Sequence, residues 1–313
     1  MNSIDNSTDR RRRVLALVGP TASGKTRVGV ALARALGGEV VSADARQVYR
    51  YMDIGTAKPT PEERARAKHH MLDVVEPDEN YSAGHYAGDA STAIESILQR
   101  NRVPILVGGS GLYLKAALDG FSPLPRTPRS VRERLLDEAR EDPAEAYRRL
   151  REVDPVTAGR LHANDTKRIV RALEVFELTG TPLSVLHELP AKEKRDWRVE
   201  WFGLGMDRAL LYRRIEERVD RMIAAGLVDE VRELNRLGYT RELNALNTFG
   251  YREVFRYLDG ESDLAETAAQ IKVGTRRYAK RQLTWFRKDR RVRWIDTDPE
   301  DAPDAILKIL DTC

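Results

Sequence analysis

The sequence predicts an α/β fold, a parallel sheet flanked by helices, with an all-helical insertion between its halves. Three observations lead there. The apolar run Val14 to Val18 is followed at once by Gly19-Pro-Thr-Ala-Ser-Gly-Lys-Thr26, which fits G-x-x-x-x-G-K-[ST] between a strand and a helix. Strand-like and helix-like stretches alternate as far as Gly108, the rhythm of βαβ units. Near Pro123 that rhythm stops, and helical patterns run to Gly180 before a strand-like stretch resumes at Val199.

In order along the chain, Val14 to Val18 is the first strand, the phosphate-binding loop (P-loop) follows, and Arg27 to Leu36 is a helix. Glu39 to Ser42 is a short second strand ending at Asp44. His69-His70 reads as a strand start; only Asp73 offers a nearby carboxylate at a useful spacing, too few ligands for a metal. Ser82 to Arg100 carries Ala90, Ile94, Ile97 and Leu98 at helical spacing, and Val103 to Val107 is another strand, closed by glycines. Pro123, Pro125 and Pro128 make a stiff entry into the insertion, and Ala191 to Arg198 is charged and loop-like. Val199 to Leu204 returns to the sheet, and Asp207 caps a long amphipathic helix to Ala225. Val292 to Ile295 is the last strand, and a helix from Pro303 closes the fold. The expected domains are a P-loop NTPase-like core, 14–121 with 196–313, and a helical insertion, 122–195.

Hydrophobic residues make up 41% of the 313 and charged residues 33%, with 53 Lys and Arg against 49 Asp and Glu. Such a chain can bury a large core. Its net charge of +4 is compatible with a nucleic-acid partner only if the cations cluster. The single cysteine, Cys313, excludes a disulfide framework and a zinc–thiolate cluster. Arg10 to Arg13 lead straight into the first strand without an apolar leader, and no run reaches transmembrane length. A cytoplasmic protein without a membrane or obligate protein partner is expected, and nothing requires more than a monomer.

The loop carries the chemistry. Gly19 and Gly24 let the backbone of Pro20, Thr21, Ala22 and Ser23 curl so that N–H groups point inward, and the following helix adds its positive N-terminal end. Such a loop takes a di- or triphosphate. Lys25 would neutralise the terminal phosphate, and the Thr26 hydroxyl is placed to ligate Mg²⁺. The strand ends at Gly19, Asp44 and Gly108 should share one crevice, because ligands of open parallel sheets bind beyond the carboxyl ends of the strands. Asp44 is then suited to act as general base or to hold Mg²⁺ through water, its bland alternative being a solvated turn cap. Gly108-Gly-Ser-Gly111 supplies a second donor loop with Ser110 at its tip. Arg214, Arg218 and Arg221 share a helix face, which alone reads as a surface salt-bridge ladder. At this level a small-molecule P-loop kinase, with Asp44 activating a hydroxyl, remains open. So does an RNA-binding protein with a vestigial loop.

Longer runs are more specific. Ser42-Ala-Asp-Ala-Arg-Gln-Val-Tyr49, Met52-Asp-Ile-Gly-Thr-Ala-Lys-Pro59 and Gly108-Gly-Ser-Gly-Leu-Tyr113 come first. Asn164-Asp165 with Arg168 and Arg171-Ala-Leu-Glu-Val175, Gly250-Tyr-Arg-Glu253, and Tyr278-Ala-Lys-Arg-Gln-Leu-Thr-Trp-Phe-Arg287 follow in order. Together, from Val14 to about Trp294, the chain resembles the tRNA dimethylallyltransferase family. The resemblance implies transfer of a dimethylallyl group from dimethylallyl diphosphate to N6 of adenosine 37, next to the anticodon of certain tRNAs, with release of diphosphate. It implies Asp44 as general base, Ser110 as the residue orienting base and amine, and Lys25, Thr26 with Mg²⁺, and Arg218 as the diphosphate clamp.

Contacts to tRNA are implied for Asp44, Ala45, Arg46, Gln47 and Ser110; for Lys167, Arg168, Ile169, Val170 and Arg171; and for Asn247, Thr248, Phe249, Gly250, Tyr251 and Arg252. Arg132, on an earlier helix of the insertion, extends the same basic frame. Arg276, Arg277, Lys280, Arg281, Arg287 and Lys288, interleaved with Tyr278, Trp285 and Phe286, suit phosphate contacts plus base stacking. The alternative for that stretch is an amphipathic helix with Ala279, Leu283 and Phe286 in the core. Two departures from the family pattern stand out: Ala45 where serine is common, which loses a hydroxyl, and Ser110 where threonine is common, which keeps one. A relative that prenylates free adenine nucleotides shares the first half of these motifs but has less need of the insertion, as has a kinase.

Overall fold

The computed structural model describes residues 12–120, 124–125, 127–189 and 195–312. Arg10, Pro123, the stretch 191–194 of the expected loop, and Cys313 lie outside the described residues. The chain divides into two compact units, Met1–Leu118 with Asp196–Cys313, and Asp119–Arg195.

The first unit is built on a parallel sheet of β1 (Arg13–Val18), β2 (Glu39–Ala43), β3 (His69–His70), β4 (Pro104–Gly108), β5 (Arg198–Leu204) and β6 (Val292–Ile295), in the order β3-β2-β4-β1-β5-β6. β1 reads as one continuous apolar run because both faces of a parallel sheet are covered. Its side chains alternate: Val14, Ala16 and Val18 enter one core, Leu15 and Leu17 the other. Helices α1 (Lys25–Leu36), α2 (Pro61–Arg66), α3 (Ala83–Gln99) and α4 (Gly111–Leu118) precede the second unit in the chain. α3 and α4 cover the Val14 face through Tyr86, Ile94, Ile97 and Leu114, while Val28 and Leu32 of α1 cover the Leu15 face.

The second unit is helical, with α5 (Arg129–Glu141), α6 (Pro143–Val153), α7 (Pro155–Ala158), α8 (Thr166–Thr179) and α9 (Leu183–Glu188) around a core that includes Leu135, Leu150, Ile169, Leu173 and Leu183. The first unit resumes with α10 (Arg208–Ala224), α11 (Leu227–Arg236), α12 (Tyr251–Leu258), α13 (Leu264–Phe286) and α14 (Ala302–Asp311). Among the described residues no helix is long and apolar enough to cross a membrane.

The differences from the sequence expectation are local. α1 starts at Lys25 rather than Arg27, because Gly24 in a left-handed conformation caps it directly. α9 lies beyond Gly180, where a helical run was expected to end, started by Pro182 at its cap. β5 takes in Arg198, which was assigned to the loop. His69 and His70 do form a strand, paired with Val40 and Val41. There His70 Nε2 lies 2.6 Å from Glu39 Oε2, and His69 Nδ1 lies 2.8 Å from the Ala67 carbonyl.

Candidate active site

Strand register assembles the site. Val18 is level with Gly108 of β4, and Gly108 with Ala43 of β2, so Gly19, Asp44 and Gly109 emerge side by side. The strands flanking β1 end in Gly108 and Leu204; an aspartate follows β2, as Asp44, and the edge strand β6, as Asp296. The loop after β1 is tightly wound. Gly24 has φ 86°, natural for glycine, but Ala22 holds φ 64° against the steric preference of its Cβ. Lys25 Nζ donates to the Pro20 carbonyl at 2.6 Å and closes the loop on itself. Thr21, Ala22, Gly24, Lys25 and Thr26 line a cavity of about 500 Å³. Gly19, Pro20 and Ser23 are buried behind them.

Asp44 and Gln47 line the same cavity, as do Gly108, Gly109 and the α10 residues Arg214, Arg218 and Arg221. Burial, then the neighbouring Arg218, lower the Lys25 ammonium to about 7, with Asp44 opposing. Burial likewise pulls Arg218 below its ordinary value, and Asp44 again opposes. Neither cation makes an ion pair among the described residues, so the cavity is short of negative charge and suited to an anion.

Asp44 is a turn cap that also lines the cavity. Its Oδ1 accepts from Arg46 N–H at 2.9 Å, a turn cap, while its carboxylate faces the cavity cations. Ser110 Oγ accepts from Ala45 N–H at 3.0 Å, and Ser110 N–H donates to the Ala43 carbonyl at 3.1 Å. Ala45 thus meets Ser110 through its backbone, despite the missing hydroxyl. The Tyr278 hydroxyl is pushed up to about 12 by burial and by the charge of Asp44, with a Ser110 hydrogen bond opposing. Tyr278 therefore stands beside both. Gln47 turns inward, accepting from Ser42 Oγ at 2.9 Å and donating to the Thr56 and Ala57 carbonyls.

The other expected contact residues divide by burial. Arg46 donates to the Asn244 carbonyl at 2.7 Å. Asn247 is exposed and Thr248 partly buried. The Phe249 ring lies beneath the Arg252 and Arg281 guanidiniums, at 5.5 and 5.7 Å. Gly250 caps α12 with φ 94°. Tyr251 is fully buried and donates to Glu230 at 2.7 Å, a supporting position. In the helical unit Lys167 and Arg168 are exposed, whereas Ile169 and Val170 are core side chains. Arg132 forms a two-pronged pair with buried Glu174, at 2.8 and 3.1 Å. Arg171 donates to the same carboxylate at 2.9 Å and to Thr127 Oγ1 at 2.6 Å. Both arginines hold the unit together.

Sequence reasoning missed Arg214, Arg221, Tyr278 and Gln282 as cavity residues. The shared face of the three arginines was a signal, read as a surface ladder. Gln282 had none, because its partners lie 261 and 173 residues away.

Residues 47–289 match the IPP transferase family. The curated tRNA dimethylallyltransferase of Geobacter metallireducens is 49% identical over 92% of this chain and 94% of its own. That of Symbiobacterium thermophilum is 49% identical over 95% of this chain and 93% of its own. Among solved structures, the full-length tRNA isopentenylpyrophosphate transferase of Bacillus halodurans has a TM-score of 0.72 at 38% identity, covering 96% of each chain. A eukaryotic dimethylallyltransferase acting on tRNA has a TM-score of 0.80 at 27% identity over 95% of this chain and 78% of that one. With matches of this extent on the same P-loop NTPase-like sheet, the chain belongs to the IPP transferase family, that of the tRNA dimethylallyltransferases.

Proposed function

We propose that this protein transfers a dimethylallyl group from dimethylallyl diphosphate to N6 of adenosine 37 of tRNA and releases diphosphate. The observation that carries the reading is that a carboxylate, Asp44, and two cations that make no ion pair among the described residues, Lys25 and Arg218, share one cavity with the phosphate loop. The loop N–H groups, Lys25 and Arg218 would hold the diphosphate and take up the charge it gains as the allylic C–O bond breaks. As N6 bonds to that carbon, its proton passes to Asp44, whose Oδ1 is oriented by the Arg46 N–H and which Tyr278 and the Ser110 loop flank. Arg214 and Arg221 add positive potential around the leaving group. The acceptor adenine must leave its stack to enter the cavity, which costs least in a single-stranded loop.

Thr26 and Asp44 offer hard oxygen donors on the cavity wall, which fits Mg²⁺ with water and phosphate oxygens completing its shell. When bound, Mg²⁺ would neutralise charge on the leaving diphosphate. The exposed Lys167 and Arg168 make the helical unit a tRNA-binding element in this reading, and a tRNA substrate supports a cytoplasmic location. The test incubates the protein with Mg²⁺, radiolabelled dimethylallyl diphosphate and unmodified tRNA, in parallel with free AMP. Label in tRNA alone is expected. Label in AMP would move the protein to nucleotide prenylation, and label in neither would return the kinase reading.

A further inference from the structure

Two loops that must cooperate in the proposed reaction are fastened to each other by one side chain from a third element. Gln282 of α13 is buried at 5% exposure. Its Oε1 accepts from Thr21 N–H at 2.8 Å, and its Nε2 donates to the Gly109 carbonyl at 3.0 Å. The amide has a single orientation, because one partner can only donate and the other can only accept. Gly109 leaves the room: a Cβ there would lie 2.0 Å from Gln282 Nε2. The same helix brings Tyr278, one turn earlier, to Ser110 and Asp44, and Trp285, about one turn later, against Gly111. Because Thr21 N–H is bound by protein, Gln282 does not add a phosphate contact; it sets where the phosphate loop lies relative to the Ser110 loop.

We propose that Gln282 is a positioning residue that locks the phosphate loop to the Ser110 loop, so that leaving group and acceptor amine meet at reacting distance. This rests on the prenyl-transfer reading for its effect on rate, but not for its effect on the loop. Gln282→Met keeps the volume and removes both hydrogen bonds. Gly109→Ala leaves Gln282 intact but displaces its amide, and since only the end of a flexible side chain must move, it tests the same lock if Gln282→Met folds poorly.

Each variant is expected to lower kcat about 100-fold, the scale of an ångström-sized misplacement. Each should weaken binding of inorganic diphosphate, measured by calorimetry, by about tenfold, while tRNA affinity stays within about twofold. The double variant should be no worse than either single one, because both break one lock. Wild-type kcat and diphosphate affinity in either folded variant would overturn the proposal. So would effects that multiply in the double variant, or a loss confined to melting temperature. If the wild-type protein fails to prenylate tRNA, the functional reading falls while diphosphate binding still tests Gln282.

Discussion

In the helical unit Arg132 and Arg171 converge on the buried carboxylate of Glu174, whereas in the sheet unit Lys25 and Arg218 face a cavity and themselves make no ion pair among the described residues. Burial alone would raise the Glu174 carboxyl, but hydrogen bonds from Arg132, Arg171 and Thr127 hold it below the ordinary carboxylate range. That carboxylate is neutralised where it stands, and the cluster braces the helical unit. In the cavity the balance runs the other way: burial lowers both cations, repulsion from Arg218 adds to it at Lys25 and repulsion from Arg221 at Arg218, and Asp44 offsets only part. Positive charge buried without a partner costs stability that a bound anion returns. Two arginine-rich regions that look alike in sequence are thus distinguished by their carboxylates.

The largest expected effect tests the one carboxylate that offsets both cavity cations. Asp44→Ala should lower prenyl transfer about 10³-fold or more, with tRNA binding nearly intact. Single-turnover rates with labelled dimethylallyl diphosphate decide it, and an unchanged rate would remove Asp44 as the base. Next, Arg218→Met should weaken inorganic diphosphate binding by roughly 10- to 100-fold without lowering the melting temperature, because an unpaired buried charge is removed. A clear drop in melting temperature would place Arg218 with the architectural arginines and break the comparison.

Arg171→Ala sharpens the other side. It should destabilise the protein by about 2 kcal/mol, below the full cost of breaking a buried pair because the Arg171 side chain is 31% exposed. Urea titration measures this, and diphosphate affinity should not change. Because Glu174 is held below its ordinary value of 4.5, its contribution is present above that pH and is lost as pH falls through the lowered value. Acid titration of Glu174→Gln should lack that loss.

Lys25 supplies a pH test. Burial and Arg218 lower its ammonium to about 7, and it should rise when an anion binds. Diphosphate affinity should therefore be full below pH 7 and fall as pH climbs toward the bound value, with proton uptake visible in calorimetry at about pH 8. A Lys25→Met variant that keeps the same pH slope would assign it elsewhere. The smallest effect is expected at Arg168, which is 73% exposed and paired with Asp165. Arg168→Ala should reduce the salt slope of tRNA binding by about one and leave stability unchanged. Arg171→Ala should also weaken tRNA binding in a salt-dependent way, but only alongside its loss of stability.

Much of the fold was legible because its signals are local. The apolar runs of β1 and β4, Asp207 as a helix cap, and Gly24 between loop and helix each act within a few residues. β3 was nearly lost because two residues carry almost no pattern, and α9 because Gly180 is a convincing stop. In the candidate site, Gly19 to Thr26 and Asp44 followed from the strand-end rule. The inward turn of Arg214, Arg218 and Arg221 did not, because packing of Leu211 and Ile215 against Ala279 decides which face of α10 meets the cavity.

By itself the sequence determined a phosphate loop after an apolar strand, a carboxylate at the neighbouring strand end, and a helical interruption of the sheet, all from backbone geometry and short-range spacing. Only the tertiary structure decided that Arg132 and Arg171 bind Glu174, that Lys25 and Arg218 make no ion pair among the described residues, and that Gln282 joins two loops. The reason is that pairing depends on a few ångströms between groups remote in the chain, and the folded arrangement sets those distances.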